Sequence, residues 1–302
     1  MGRTGRVLGA IVTYHPDPAS LPGVIAAALE EVDELVIVDN ASTPESRQLL
    51  QSTLEPVPRG AETSPRWSVV ENVRNEGVAV AFNQAVAAGK RSAFEFVLLL
   101  DQDSIVRTGS VERLVAEYDV LSRRFRVGAL QSTNREPGGR IPLDSRRREY
   151  YARRGMYAGP SSYQGLLLLN SGALVPASVF EAVGPFDARY FVDFVDYEFS
   201  LRLARRGYAV FHVPGAAVDH NIVRGPPLSR VRLYYAIREL VRLARTYAWQ
   251  FPGGVAPVTW TTLNRLGSAT LRSGHPVKVL ALAIGASMDG LLGVTGEFTG
   301  RA

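Results

Sequence analysis

The sequence predicts an α/β domain built on a mostly parallel sheet flanked by helices, with a helical extension behind it. Three observations carry this. Over the first two hundred residues short β-branched runs alternate with segments of helical spacing, the pattern of βαβ units. The apolar runs also end abruptly in polar or acidic residues, as strands do at the carboxyl edge where open α/β sheets bind ligands. From Ser229 onward the pattern changes to long helical stretches.

Val7–Thr13 and Leu35–Asp39 read as strands, with helical spacing over Leu21–Glu31 between them, so Val7 to Asp39 is a βαβ unit. Trp67–Glu71 is a third strand, followed by a helix over Val78–Gly89 and a strand over Phe94–Leu100. Right-handed crossovers would make this sheet parallel. Glu55–Arg66, rich in Pro and Gly, is a surface loop, and Arg135–Ser162 a longer one of the kind that is usually functional. Gly165–Asn170 and Gly172–Val175 read as a broken apolar strand, and Ser178–Val183 as a short helix closed by Gly184-Pro185. Phe191–Gly207 holds an acidic turn and a helix stopped by Arg205-Arg206-Gly207. Val210–Val213 and Ala216–Val218 are short strands leading to His220. The Gly-Pro-Pro breaker within Arg224–Leu228 sets the border between a domain over residues 1–222 and an extension over 223–302.

Composition narrows the classes. With no cysteine, disulfide frameworks and thiolate metal sites are excluded, and a reducing interior is expected. The apolar piece Val7–Val12 behind the basic start is too short for a signal-peptide core, so export is not expected. From Val223 onward ten Lys or Arg meet three acids, a balance of +7, whereas the whole chain carries +5. That asymmetry points to an anionic partner surface. Val277–Val294 is almost wholly apolar, but Lys278, Asp289 and several Gly argue against a membrane span.

The strand Phe96–Leu100 runs straight into Asp101-Gln102-Asp103-Ser104. In extended chain, residues two apart point the same way, so Asp101 and Asp103 aim hard oxygen ligands at one spot, which suits a divalent cation and a diphosphate. The first two strands end in Thr13-Tyr14-His15-Pro16-Asp17 and Asp39-Asn40-Ala41-Ser42-Thr43, where a nucleotide base can lie. Asp39 can accept an imide N–H of uracil or thymine, with backbone near Thr13 serving the carbonyls; the plainer alternative is a turn with Ser42 or Thr43 capping the next helix. Asn72 to Asn83 is a third such site: Gly77 permits a tight strand-to-helix turn, and Asn75, Asn83 and Asp101 can surround a nucleoside or sugar. The second acidic cluster, Asp193, Asp196 and Glu198, opens a helix, where the dipole favours carboxylates. A carboxylate among Phe194, Val195 and Tyr197 would be desolvated and raised in pKa, as a general base requires. His220 can add an imidazole ligand to a cation held by Asp103.

These residues, in this order, resemble the inverting glycosyltransferases of family 2, and within them the rhamnosyltransferase group of O-antigen and cell-wall enzymes. The resemblance covers about residues 7–250. It rests on Val12-Thr13-Tyr14-His15-Pro16-Asp17, Leu100-Asp101-Gln102-Asp103-Ser104, Asn170-Ser171-Gly172, Gly184-Pro185-Phe186-Asp187 with Phe191–Arg202, and Tyr234-Tyr235-x-x-Arg238. It implies a GT-A fold and a nucleotide-diphosphate-sugar donor, dTDP-L-rhamnose. Thr13, Asp39, Asn75, Gly77, Asn83, Asp101 and Gln102 would bind the donor, and Asp103 with His220 would hold Mg²⁺ or Mn²⁺. The catalytic base falls on Asp196, six residues before Arg202. Two departures stand out: Val195 replaces a residue that is often acidic in the wider family, which leaves Asp193 and Glu198 as alternatives, and Glu239 replaces a frequent Asn and bears on acceptor choice.

The implied acceptor is a glycan on a polyprenyl-diphosphate carrier, and the implied location is the cytoplasm, at the inner face of the cell membrane. Arg238, Arg242 and Arg245 share one helical stripe, with Tyr234, Ile237, Val241 and Ala244 on another, and such a basic amphipathic helix suits an anionic membrane surface. Two rivals fit less well. A nucleotidyltransferase would be expected to show a Gly-rich basic phosphate loop near its first strand. A nucleic-acid-binding protein would explain the basic tail but not three acidic constellations.

Overall fold

The computed structural model describes residues 5–58, 60–61, 64–89, 93–135, 163–165, 167–220, 229–298 and 300. The 224–228 border and nearly all of the long loop after Arg135 lie outside them. The strands are β1 (Val7–Thr13), β2 (Glu34–Asp39), a two-residue pair β3 (Gly60–Ala61) and β4 (Ser64–Pro65), β5 (Trp67–Glu71), β6 (Phe96–Asp101), β7 (Ser104–Val106), β8 (Val127–Arg135), β9 (Tyr163–Gly165), β10 (Ala173–Pro176) and β11 (Ala209–His220). One sheet runs β5-β2-β1-β6-β10-β8-β11-β7, with β9 also on β11.

The half β5-β2-β1-β6 is parallel, as the alternating sequence pattern demands. Beyond β6 the directions vary: β10 runs antiparallel to β6 and β8, β11 parallel to β8, and β7 and β9 antiparallel to β11. The sheet is therefore mixed. Residues 167–172 carry no strand, and the two short strands expected before His220 are one strand, β11, bent by a bulge between Val213 and Ala217. Strand β8 and the helix Ser110–Leu121 were not foreseen.

Strands such as β2 are buried along their whole length, because helices cover both faces of the sheet. Helices Leu21–Glu31 and Ser110–Leu121 pack on one face around Leu21, Ile25, Val111 and Leu114. Val78–Gly89, Ala177–Val183 and Val195–Arg205 pack on the other around Phe82, Phe180, Phe186 and Phe199. The C-terminal helices are Arg230–Tyr247, Pro252–Arg272 and Pro276–Leu292. Leu240, Leu243, Tyr247, Val255 and Val258 enter the second of these cores, so the first of those helices and the start of the next pack directly on the sheet domain.

Two residues separate β6 from β7, yet β10, β8 and β11 lie between them in the sheet order. The sheet must curl to satisfy both. As a result His220 pairs with Ser104 and arrives beside the acidic turn at the end of β6.

Candidate active site

The carboxyl ends of β1, β2 and β6 open into a cavity of about 1300 Å³. Its floor carries the acidic turn after β6. Asp101, Asp103 and His220 each offer a ligand atom, all within 4.8 Å of one another. His220 Nδ1 lies 3.6 Å from Asp103 Oδ1. The imidazole is fixed by Ser104 Oγ at 2.8 Å, itself 2.5 Å from Ser171 Oγ. The two hydroxyls thus fix the position of the ring through Nδ1. Two carboxylate oxygens and an imidazole nitrogen converging in this way fit a divalent cation such as Mg²⁺ or Mn²⁺. Burial, then the charges of Asp103 and Asp196, pushes the Asp101 carboxyl up to about 7. A cation between these groups would relieve that repulsion. Asp101 thus stands with Asp103 and His220, as the two-residue spacing of the acid pair leads one to expect, although the family resemblance assigns it to the donor's ribose or sugar.

Asp196 lines the same cavity and stands in the first turn of Val195–Arg205. It is aimed there by Phe194, whose φ of 59° is a left-handed turn that few non-glycine residues adopt. The other two acids of the cluster have structural partners. Glu198 is buried, grips Arg202 through both oxygens at 3.0 and 2.9 Å and accepts from Tyr247 Oη at 2.7 Å. Asp193 lines the cavity but pairs with Arg232 at 3.1 Å, while burial pushes its carboxyl upward.

The donor-binding candidates divide. Asn75, Gly77, Asp101 and Gln102 line the cavity. Gln102 clamps Tyr14, accepting from its N–H at 2.7 Å and donating to its carbonyl at 3.2 Å. Asn75 accepts from Asn40 Nδ2 and from the Gly77 N–H. Gly77 has a φ of +87°, and a Cβ there would meet the Phe191 carbonyl at 2.7 Å, so this glycine lets the acidic segment close over the helix start. Thr13 and Asp39 sit at the strand ends but are buried. Asp39 accepts from Arg47 Nε at 2.9 Å and from Ser42 N–H at 3.2 Å, with the Thr13 hydroxyl 3.3 Å away. Asn83 is not among the cavity-lining residues: its amide bonds the backbone of Phe186 in both directions at 2.9 Å, holding the Gly184–Asp187 turn.

Other features of the site were not read from sequence. Asn134 and Asn170 line the cavity, and among the described residues their buried Oδ1 atoms have no hydrogen-bond partner. Arg232, Trp260 and Arg265 of the C-terminal helices form part of the wall. Only their types, two cations and an aromatic, were visible; their place in the cavity depends on helices packed far along the chain. Glu239, expected to bear on acceptor choice, is wholly buried. It accepts from the N–H groups of Phe191 at 2.8 Å, Val192 at 3.4 Å and Asp193 at 2.8 Å. Burial pushes its carboxyl up to about 7, against the pull of the Phe191 N–H and of Arg238 at 3.0 Å. Its task is to hold the acidic segment.

The arginine stripe is corrected as well. Arg238 and Arg242 are buried: Arg238 donates to Gly296 O and Glu239, and Arg242 to Arg189 O and Val294 O. Arg245 donates to Leu291 O. Arg238 and Arg242 thus tie the C-terminal chain to the domain from buried positions, and of the three only Arg245 is exposed. Among the described residues no helix is long and apolar enough to cross one.

A curled, mixed sheet whose parallel half ends in an acid pair, with a histidine brought back to it by a long bent strand, is the arrangement of a GT-A glycosyltransferase. A solved structure of GalNAc-T7 with UDP, GalNAc and Mn²⁺ is similar with a TM-score of 0.62 at 15% identity, over 82% of this chain and 49% of that one. The chain thus spans about half that protein's length. The chain belongs to glycosyl transferase family 2, whose model matches residues 10–172. Over nearly its full length it is similar to the dTDP-rhamnosyl transferase RfbF of Shigella flexneri, at 25% identity over 96% of this chain and 97% of the relative. It is also similar to the N-acetylglucosaminyl-diphospho-decaprenol L-rhamnosyltransferase of Mycobacterium tuberculosis, at 27% identity over 87% and 90%.

Proposed function

We propose that this glycosyltransferase moves L-rhamnose from dTDP-L-rhamnose to a polyprenyl-diphosphate-linked glycan, with inversion, in cell-envelope polysaccharide synthesis. The observation that carries the chemistry is the convergence of Asp101, Asp103, His220 and Asp196 on one cavity at the sheet's carboxyl edge. The sugar and acceptor follow the names of the two relatives.

Asp196 takes the proton of the acceptor hydroxyl as its oxygen bonds the anomeric carbon. The carbon–oxygen bond to the diphosphate breaks, and the electron pair leaves with the nucleoside diphosphate. A divalent cation held by Asp103, His220 and Asp101 supplies charge neutralisation for that leaving group. Asp39 and backbone near Thr13 serve the base, Asn75, Gly77 and Gln102 shape the donor side, and Asn134 and Asn170 offer acceptors to sugar hydroxyls. Asn83 acts at one remove, by holding the Gly184–Asp187 turn. The reaction takes place in the cytoplasm at the inner face of the membrane.

Thermal shift with a set of nucleotide-sugars, with and without Mn²⁺, tests this reading, because bound donor raises stability by mass action. dTDP-L-rhamnose should give the largest rise, dependent on Mn²⁺ and lost in Asp103→Ala and His220→Ala. A larger rise with a UDP-hexose would replace the sugar but keep the site. A rise unaffected by EDTA would remove the metal.

A further inference from the structure

The last helix, Pro276–Leu292, is apolar on two opposite faces. One face, formed by Val279, Leu282, Ala283, Ala286 and Gly290, is buried. At Gly290 it lies against the Arg230–Tyr247 helix, where a Cβ would meet Arg238 O at 2.5 Å and Val241 at 2.9 Å. The opposite face carries Val277, Leu280, Ile284, Met288 and Leu291, which are 77%, 48%, 62%, 54% and 55% exposed. Their spacing of three, four, four and three residues is one continuous helical stripe, about 20 Å long at 1.5 Å per residue. The helix packed beside it, Pro252–Arg272, repeats the pattern with Trp260, Leu263 and Leu271 exposed. Isolated exposed apolar residues are ordinary, but ordered rows of them on two adjacent helices mark an interaction surface.

We propose that this pair of helices is the membrane-docking face, lying on an anionic bilayer surface with the exposed apolar rows in the headgroup–acyl boundary. The choice of occupant rests on charge. The exposed cations Arg265, Arg272 and Lys278 belong to the same two helices. The one acid of those helices, Asp289, is engaged by Tyr234 Oη at 2.6 Å. Two copies meeting through this face would bring like charges together, whereas an anionic lipid surface complements them. The geometry links docking to catalysis. Trp260 stands in the exposed row and also lines the catalytic cavity, together with Arg265. A bilayer against this face puts the cavity rim at the lipid surface, where an acceptor on a polyprenyl diphosphate would present its sugar. The placement at the cavity rim rests on the acceptor proposed above; the docking itself does not. It also replaces the Arg238–Arg245 stripe as the membrane-facing element.

The test is flotation of the full chain with vesicles of phosphatidylglycerol and phosphatidylcholine, beside vesicles of phosphatidylcholine alone. Binding should be strong to the first, weak to the second, and partly released by salt. Leu280→Gln, Ile284→Gln and Met288→Gln combined should reduce partition at least tenfold, since each buried apolar side chain is worth about that factor. Arg272→Gln with Lys278→Gln should reduce binding to anionic vesicles severalfold and leave that to neutral vesicles unchanged. All five positions are exposed, so melting temperature and turnover on a short water-soluble acceptor should stay at wild-type values. Wild-type flotation in the apolar triple variant overturns the proposal. So does a concentration-dependent dimer in sedimentation that the same triple variant abolishes, with no vesicle binding. Vesicle binding as expected, but no rhamnose transfer, would instead sink the reading of the active site and leave this one standing.

Discussion

Two acidic clusters of this chain look alike in sequence and have opposite fates. At the end of β6, Asp101 and Asp103 converge with His220. At the start of Val195–Arg205, Glu198 is taken by Arg202 and Tyr247 and Asp193 by Arg232, while Asp196 stands in the first turn and lines the cavity. The difference lies in what each segment packs against. The β6 turn stands at the carboxyl edge of the sheet, where Asp101 and Asp103 line the cavity. At the helix start, Arg202 four residues on pairs with Glu198, and the packed Arg230–Tyr247 helix brings Arg232 to Asp193 and Tyr247 to Glu198. A carboxylate's role follows from what lies against it, whether Arg202 four residues on for Glu198 or the packed Arg230–Tyr247 helix for Asp193.

The largest effect expected from this contrast is at Asp196. Asp196→Asn keeps the shape and removes proton acceptance, so turnover should fall by about two to four orders of magnitude with donor affinity little changed. Single-turnover kinetics beside donor titration would separate the two. Near wild-type turnover in this variant would return the base to Asp193, because Glu198 is sealed by its partners.

Glu198→Gln should strike stability. Removing one partner of a buried pair leaves Arg202 uncompensated and costs about 3–5 kcal/mol. The same argument applies to Arg238→Gln, which strands Glu239 under the Phe191–Asp193 backbone. Urea unfolding should show both as marked falls in midpoint. A loss of turnover in Glu198→Gln at unchanged midpoint would make Glu198 a participant in the chemistry.

These contrasts also show what the sequence made legible. Strand ends and the acidic turn were readable because their information is local: Asp101 and Asp103 are two residues apart, and β1, β2 and β6 are continuous apolar runs. Strand β8 was hidden because Gln131, Ser132 and Asn134 are polar yet buried. Their surroundings come from Ser171 and Gly172, which are distant in sequence. The continuity of β11 was masked by Pro214-Gly215, which reads as a break and is a bulge. Arg238 and Arg242 were misplaced for a related reason. Helical periodicity shows that they share a face, but not that carbonyls of residues 189, 294 and 296 line that face.

Asn83 gives a middle-sized prediction that sharpens the difference between contact and support. Asn83→Ala would leave the buried backbone N–H and carbonyl of Phe186 unpaired, at about 1–3 kcal/mol. Donor affinity should fall no more than that loss of stability explains. A fall in donor affinity at unchanged stability would place Asn83 in the site after all.

The smallest effect is expected at Arg245, and it tests the corrected reading of the basic helix. Arg238 and Arg242 are enclosed, but Arg245 is exposed and reaches only the carbonyl of Leu291. Exposed side chains without an enclosing network usually change stability by no more than about 0.5 kcal/mol. Arg245→Gln should therefore leave the unfolding midpoint, turnover and vesicle flotation close to wild type, while Arg238→Gln lowers the midpoint. If Arg245→Gln alone released the protein from anionic vesicles, the membrane would have to lie against the Arg230–Tyr247 helix and not against the exposed apolar rows. The neighbouring guanidiniums, already committed to backbone carbonyls and Glu239, give that outcome no structural support, because a cation that holds the chain together has little left to offer a phosphate.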